Sequence, residues 1–475
     1  MVRMKHSMQQ IRLQPNAGEE LLVWPGKRKI VEINAESPAN LVSQYFIEQG
    51  THNNSLFFGD NYDVLSHLLT TYKEKIDLIY IDPPFESQAN YRKKISLKGS
   101  HQTAPIYETQ YEDKWTQHDY LQFIYERLLV LRTLLSPTGS IYVHCDWRKA
   151  HYIRLMLDEI FGAEHFRNEI IWKRGTVKGA KAKGKQFARN HDTIFYYTKS
   201  SEYTFNRQYV PFEKDYMKRF NKDDNDGLGP YRDDQAIGTR SQKSIEEMKA
   251  SGKIFEYKGK LRIKTYLKDL PGIVVDDNWS DIAEVNVMSK ARTMYPTQKP
   301  EELLGRIIKT STNEGDLVLD CFSGSGTTVA VAAKLGRSFI GVDNNMCAIQ
   351  TAVERLVKQA ASFSVQNIGG MWPKCDANMH VIVDEQANAL QLIDLDIRDV
   401  QQKIAGHTYD WKQLIDQVQI DWQYSGDVFR PTTFDFATAS QCIRGAYEMP
   451  VQTSRQPIAI QLTDIFSTNY FLKIE

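Results

Sequence analysis

Four short apolar runs, each closing on an acid or a turn, constrain this chain more than any other feature: Ile76 to Asp82, Ser140 to Asp146, Asp316 to Phe322 and Ser338 to Asp343. A near-continuous apolar run of this length marks a strand covered on both faces, because neither side of its pleat is left to water. Between the runs the period changes. From His118 to Leu135 apolar residues recur at Leu121, Ile124, Tyr125, Leu128, Leu131 and Leu135, and from Arg148 to Phe161 at Ile153, Met156, Leu157 and Ile160, the stripe of an amphipathic helix. Strands alternating with helices predict an α/β layer on a mostly parallel sheet, with ligands gathered at the carboxyl ends of its strands.

The pattern breaks twice. From about Ser201 to Thr293 the chain turns polar and aromatic, with turns between Gly227 and Pro230 and strand-like pieces such as Lys260 to Tyr266, which predicts an inserted domain. After about Phe363 strand-leaning pieces follow, including Ile458 to Leu462 and Tyr470 to Ile474. The expected division is 1–200 and 294–365 as two parts of one α/β domain, 201–293 as the insert, and 366–475 as a small strand-rich C-terminal domain suited to association or partner docking. Lys and Arg match Asp and Glu at 59 each, so a phosphate-binding surface has to come from local segregation of charge. The five cysteines are scattered without a C-x-x-C pair or a histidine cluster, which argues against a disulfide framework and gives no metal site. Neither an apolar signal core after Met1 nor a run of about 18 apolar residues occurs; a soluble, cytoplasmic chain is expected.

The first chemical signal is Ile79-Tyr80-Ile81-Asp82-Pro83-Pro84-Phe85. A buried strand delivers an acid, two prolines that cannot extend a ladder fix a rigid turn, and an aromatic ring follows. An exocyclic amine on a nucleobase is a poor nucleophile because its lone pair is delocalised into the ring. The Asp82 carboxylate and the Pro83 carbonyl can accept both amine hydrogens and leave the lone pair facing an incoming group, while Phe85 stacks on the base. The same residues also suit an ordinary strand-to-turn junction with a capping acid.

The second signal is Asp320-Cys321-Phe322-Ser323-Gly324-Ser325-Gly326-Thr327-Thr328, a strand entering a glycine turn and then a helix from Thr327 to Leu335. Gly324 and Gly326 let a cofactor approach the backbone and the helix N-terminus. The loop lacks the Gly-Lys-Ser/Thr ending of a P-loop, and Val329 departs from G-x-G-x-x-G. One strand later, Asp343 closes Phe339-Ile340-Gly341-Val342-Asp343, placed either for ribose hydroxyls or for a helix N-cap.

On these residues the chain resembles the β group of DNA amino-methyltransferases, particularly the adenine-N6 modification subunits of type III restriction systems and their solitary relatives. The order carries the likeness: Asp82-Pro83-Pro84-Phe85 far upstream, then Tyr295-Pro296-Thr297-Gln298-Lys299-Pro300, then Phe322-Ser323-Gly324-Ser325-Gly326. Further similar stretches are Trp24-Pro25-Gly26-Lys27, Phe58-Gly59-Asp60-Asn61, Gly139 to Asp146, and Arg189 to Asp192 leading into Tyr196-Tyr197-Thr198-Lys199. The resemblance implies a Rossmann-like methyltransferase sheet with circularly permuted motif order, an inserted target-recognition domain, and S-adenosylmethionine as cofactor. It assigns Asp82, Pro83, Pro84 and Phe85 to catalysis, and cofactor contacts to Asp60, Lys299, Asp320, Phe322, Gly324, Gly326, Thr327 and Asp343. Phe85 stands where tyrosine is more usual in the family, which removes a hydroxyl and keeps a stacking face.

The implied substrate is an adenine rotated out of duplex DNA and stacked between Phe85 and a second aromatic, Tyr196 or else Tyr197. Between Trp172 and Arg189 stand Lys173, Arg174, Lys178, Lys181, Lys183, Lys185 and Arg189 with no acid, a loop suited to phosphate contacts or simply solvated. Arg207, Arg219, Arg232, Arg240 and Arg262 in the insert are candidate readers of base edges or surface charges. His144 and Cys145 have no partner spacing for a metal or a nucleophile and are expected in the core. Duplex DNA is the expected partner; a homodimer and a restriction subunit are compatible with the resemblance. Cytosine-N4 methylation and a non-catalytic DNA-binding modification subunit stay open as alternatives.

Overall fold

A computed structural model describes residues 10–474 except 16–19, 30, 35–38, 47–53, 86–89, 100–106, 113–115, 178–182, 226, 287–291, 294, 296, 370–371, 373–374, 377, 385, 405–408 and 451–456. Its centre is a ten-stranded sheet. In chain order the strands and flanking helices are β1 (Asn40–Tyr45), β2 (Ser55–Phe58), α1 (Asn61–Tyr72), β3 (Ile76–Ile81), α2 (Gln117–Leu134), β4 (Leu135–Cys145), α3 (Ala150–Phe161), β5 (Phe166–Lys173), β6 (His191–Thr198), β7 (Asn278–Trp279), α4 (Glu301–Ser311), β8 (Leu317–Asp320), α5 (Thr327–Lys334), β9 (Ser338–Asp343), α6 (Met346–Lys358) and β10 (Phe363–Asn367).

Across the sheet the order is β7-β5-β6-β4-β3-β8-β9-β2-β10-β1. The six strands from β4 to β10 run parallel, so their carboxyl ends lie along one edge. β3 and β8 are neighbours, Leu78 opposite Val318, which sets the Asp82 turn beside the glycine turn although the two lie far apart in sequence. This is the permuted α/β arrangement the motif order implies.

The helices form where the periodicity placed them, because their apolar stripes have a sheet to cover. Leu121, Ile124, Tyr125, Leu128 and Leu131 of α2, and Ile153, Met156, Leu157 and Ile160 of α3, are all buried in the main core, each such side chain contributing roughly 1.5–3 kcal/mol. Thr116 caps α2 by accepting from the Asp119 amide.

Residues Arg207–Asp276 form a compact unit of their own, narrower than the expected 201–293 insert. It carries a three-stranded antiparallel sheet of Tyr231–Ala236, Lys260–Tyr266 and Ile254–Tyr257, and its two ends pair, Tyr209 opposite Val274.

The remaining residues cluster together as one unit, 366–475 included. The C-terminal part holds a five-stranded sheet around Ile415–Asp421 and Ile458–Asp464 and a three-stranded one around Ala389–Asp396. Its core takes in Ile95 and Leu97 from the other end of the chain, where the Lys98 and Gly99 amides donate to the Gln413 and Thr438 carbonyls at 2.9 and 3.2 Å. Among the described residues no helix is long and apolar enough to cross a membrane.

Candidate active site

The edge where the parallel strands end opens into a cavity of about 300 Å³, lined among others by Asp60, Tyr80, Asp82, Phe85, Lys299, Phe322, Gly324 and Asp343. Pro83, Pro84, Asp320 and Thr327 line it too, so the expected tetrapeptide and part of the expected cofactor set share one space of small-ligand size.

Asp82 leaves β3 with its side chain 17% exposed, and the Lys299 ammonium forms an ion pair with its Oδ2. Its Oδ1 is buried and has no hydrogen-bond partner among the described residues. A buried carboxylate oxygen in that condition is costly, and here it borders a cavity able to supply a donor. Lys299, expected beside a cofactor, therefore also holds the carboxylate, and its ammonium stands 5.8 Å from the Phe85 ring centre.

Phe85 rests on His144, with ring centres 6.1 Å apart and planes 29° from parallel. His144 is fully buried, at the end of β4. Its Nε2–H donates to Asp192 at 3.2 Å, because an ionised carboxylate only accepts, and the Tyr80 hydroxyl donates to Nδ1 at 2.9 Å in the neutral ring. Burial opposes charge on Asp192, but the His144 hydrogen bond and the nearby Arg174 outweigh it and lower its carboxyl from the ordinary value. The wall behind Phe85 is thus a chain of buried polar groups linked by hydrogen bonds from Tyr80 through His144 to Asp192 Oδ2, with Arg174 3.5 Å from Asp192 Oδ1, and His144 has the core position expected of it.

The glycine turn is built from both sides. Gly324 and Gly326 take φ of 50° and 70°, values that favour glycine. A Cβ on Gly326 would sit 2.5 Å from the Ala352 Cβ, so the turn also has to be bare to pack on α6. Asp343 Oδ2 accepts the Gly324 amide at 2.8 Å and its Oδ1 the Asn345 amide at 2.8 Å. The N-cap of α6 is Asn345, not Asp343, which removes the capping alternative for the acid. Burial pushes the Asp343 carboxyl up to about 6. Asp320 accepts the Phe322 amide at 3.0 Å and the Thr328 hydroxyl at 2.5 Å, and burial pushes it up to about 7. The Ser323 hydroxyl is buried without a partner among the described residues.

Asp60 caps α1, accepting the Tyr62 amide at 2.8 Å. Sequence reasoning missed Arg127, which looks like one polar position on an amphipathic helix. It is 6% exposed, donates to Asn61 at 2.5 Å and Asp60 at 3.3 Å, and lies 3.5 Å over the Phe123 ring. Asn61 in turn donates to the Cys321 carbonyl at 3.0 Å, tying the start of α1 to the glycine turn. Nothing in the sequence marks it, because its burial and its acidic neighbours are made only by the packing of α2 on α1.

Tyr196 has to be corrected. It is 2% exposed, stacks on Tyr142 at 4.4 Å, and is absent from the cavity lining. It pairs with Tyr142 in mid-strand, three residues from the Thr193–Cys145 pair at the edge, about 10 Å short of that edge at strand rise. Tyr197, the alternate, is buried as well and donates to Asp158 at 2.6 Å.

Of the basic loop, Lys173, Lys183, Lys185 and Arg189 are exposed, and Lys178 and Lys181 lie outside the described residues. Arg174 is 3.5 Å from the buried Asp192, which commits its charge to the wall and takes it out of the set open to phosphates. In the inserted unit Arg232 lies over Tyr216 and Phe220, Arg219 over Tyr216 and Arg262 over Tyr257.

Residues 76–354 match the DNA methylase family. The type II methyltransferase M.EcaI of Enterobacter cloacae is 30% identical over 325 residues, covering 64% of this chain and 69% of the relative. The DNA adenine methyltransferase YhdJ of Escherichia coli K12 is 26% identical, covering 67% and 88%. The probable type III restriction-modification enzyme HindVI Mod subunit of Haemophilus influenzae is 27% identical; 70% of this chain matches it and spans 53% of its length.

Proposed function

The chain belongs to the DNA methylase family, whose members use S-adenosylmethionine, and on that premise we propose that it methylates the N6 amine of an adenine rotated out of duplex DNA at a specific site. The carrying observation is the Asp82 carboxylate, one oxygen held by Lys299 and the other buried without a partner among the described residues, at a cavity shared with the glycine turn.

The residues present fit the cofactor. Bare backbone at Gly324, the Ser323 hydroxyl without a partner among the described residues, and the Asp60 and Asp343 carboxylates at neighbouring strand ends make a cradle for a nucleoside with hydroxyl and amine donors, and Gly326 lets the turn close on α6 behind it. Asp343 would hold the ribose, Asp60 the adenine end, and Phe322, Gly324, Gly326 and Thr327 the methionine end, beside Asp320 and Lys299. When bound, S-adenosylmethionine supplies a methyl group already activated on a sulfonium.

The chain's part is to aim the amine. Asp82 Oδ1 accepts one amine hydrogen and the Pro83 carbonyl the other, which turns the lone pair toward the cofactor side. Pro83 and Pro84 keep the two acceptors in a fixed relation, and Phe85, backed by His144, stacks on the base. Orientation of this kind can supply several of the roughly 7–11 kcal/mol available from proximity. Adenine is favoured by the acid at position 82 and by the name of the relative YhdJ. The unit Arg207–Asp276 would read the site, while Lys173, Lys183, Lys185 and Arg189 contact phosphates, with Lys178 and Lys181 in the same loop.

The test is Asp82→Ala. Methyl transfer should fall at least about a thousandfold, roughly 4 kcal/mol, while equilibrium binding of S-adenosylmethionine stays within a few-fold of the parent. Near-normal turnover would overturn the assignment. Relatives named Mod subunits extend the proposal to partners: a restriction subunit or a second copy of the chain, docking through residues 366–475, in a cytoplasmic setting. Sedimentation of the full chain alone and with a candidate subunit tests this; a monomer in both would count against it.

A further inference from the structure

One exposed aromatic at the sheet edge has no part in the site described. Trp147 follows the end of β4, three residues beyond the His144 that backs Phe85, and it is 47% exposed. Arg189 lies over its ring at 3.8 Å and Arg148 at 5.2 Å from the ring centre. Arg148 is itself fixed by an ion pair to the buried Asp146. Two residues before Arg189, Phe187 is fully exposed at 101%, and Lys183 and Lys185 are exposed in the same loop. The β5–β6 hairpin brings this loop to the same edge, since Thr193 pairs with Cys145 and the Arg174 amide donates to the Asn190 carbonyl.

Resting on the adenine-flipping reading, we propose that Trp147 enters the duplex and fills the space the flipped adenine leaves, while Arg189 moves to a flanking phosphate and Arg148, held by Asp146, stays at the base of the ring. Three residues of chain can separate Trp147 from His144 by at most about 10 Å, so the indole leaves the sheet at the edge where His144 backs Phe85. The occupant is set by charge and shape together: cations flank the indole, and the strand that runs past it is a polyanion. An exposed cation–π contact is among the weakest of polar interactions, so a phosphate readily draws the guanidinium off the ring. The uncovered indole then has a flat apolar face to offer the unpaired base, as wedge side chains do when they replace a lost stacking partner.

The experiment compares two oligonucleotide duplexes carrying a site that the wild-type enzyme modifies in plasmid DNA. In one the target adenine is paired with thymine; in the other it faces an abasic position, where no base needs support. For Trp147→Ala, kcat/KM on the paired duplex should fall roughly 10- to 100-fold. The deficit should shrink to within a few-fold on the abasic duplex, Trp147→Phe should keep most of the activity, and cofactor binding should be unchanged in both variants. An equal deficit on both duplexes, or none on either, overturns the inference while leaving the methyltransferase reading intact. Absence of N6-methyladenine from the wild-type reactions overturns that reading, and this inference with it.

Discussion

At the residue scale the two acids of the glycine turn give a pH signature. The folded chain holds the proton on Asp343 and Asp320 more tightly than an unfolded chain would. These carboxyls therefore favour folding at acidic pH, and that contribution fades as pH rises from 3.8 through about 6 for Asp343 and about 7 for Asp320. Ribose binding needs Asp343 as an acceptor. Affinity for S-adenosylmethionine should rise as pH passes through about 6, and Asp343→Asn should lower it about tenfold to a hundredfold at pH 7.5 and flatten its pH dependence. Calorimetric titrations across pH 5 to 7.5 check this, and a parent affinity independent of pH would contradict it. Asp82-Pro83-Pro84-Phe85 and the glycines were legible because their geometry is local: a strand end, two rings without N–H, a turn with positive φ. Tyr196 was not, because a motif string does not say how far along a strand a side chain sits. The Lys299–Asp82 pair was equally hidden, since it joins residues that only the sheet order makes neighbours.

The elements carry the same division. Apolar runs and periodicity placed β3, β4, β8, β9, α2 and α3 within about five residues, and the glycine turn placed α5, since strands and helices buried on a common core write their period into the sequence. What escaped was attachment at long range: Arg127 of α2 binding the cap of α1, and residues 95–99 entering the C-terminal core. The packing of α5 against α6 gives a sharp test. Gly326→Ala forces a methyl to within 2.5 Å of the Ala352 Cβ, and overpacking of this sort costs typically ~1–3 kcal/mol. Melting temperature should drop and cofactor affinity with it. Adding Ala352→Gly should restore part of the stability, because the 2.5 Å contact is removed while the backbone Cα of residue 352 at 2.9 Å and the φ of 70° remain unfavourable for alanine. A double variant no better than the single one would show that packing is not the source.

At the scale of the whole molecule the chain has two compact units, and they should separate by function. Because Tyr209 pairs with Val274, residues 211–272 can be replaced by a short glycine-rich turn between strands that already meet. The shortened chain should stay folded and bind S-adenosylmethionine, but lose site-selective methylation; selective methylation would contradict a reading role for this unit. Cutting the chain at 366 should behave differently. It would remove the sheet to which Tyr45 donates, through Gln419 at 2.9 Å, and the Asn469 acceptor of the buried Gln350 amide at 2.8 Å, so a marked loss of thermal stability is expected and an unchanged melting curve would contradict it. The central claim is the chemistry at the shared cavity. Its most direct test is transfer of labelled methyl groups from S-adenosylmethionine to mixed-sequence duplex DNA, with nucleoside analysis of the product and Asp82→Ala in parallel. The account predicts N6-methyladenine from the parent chain and none from the variant. Label in N4-methylcytosine, or equal label from both proteins, would contradict it.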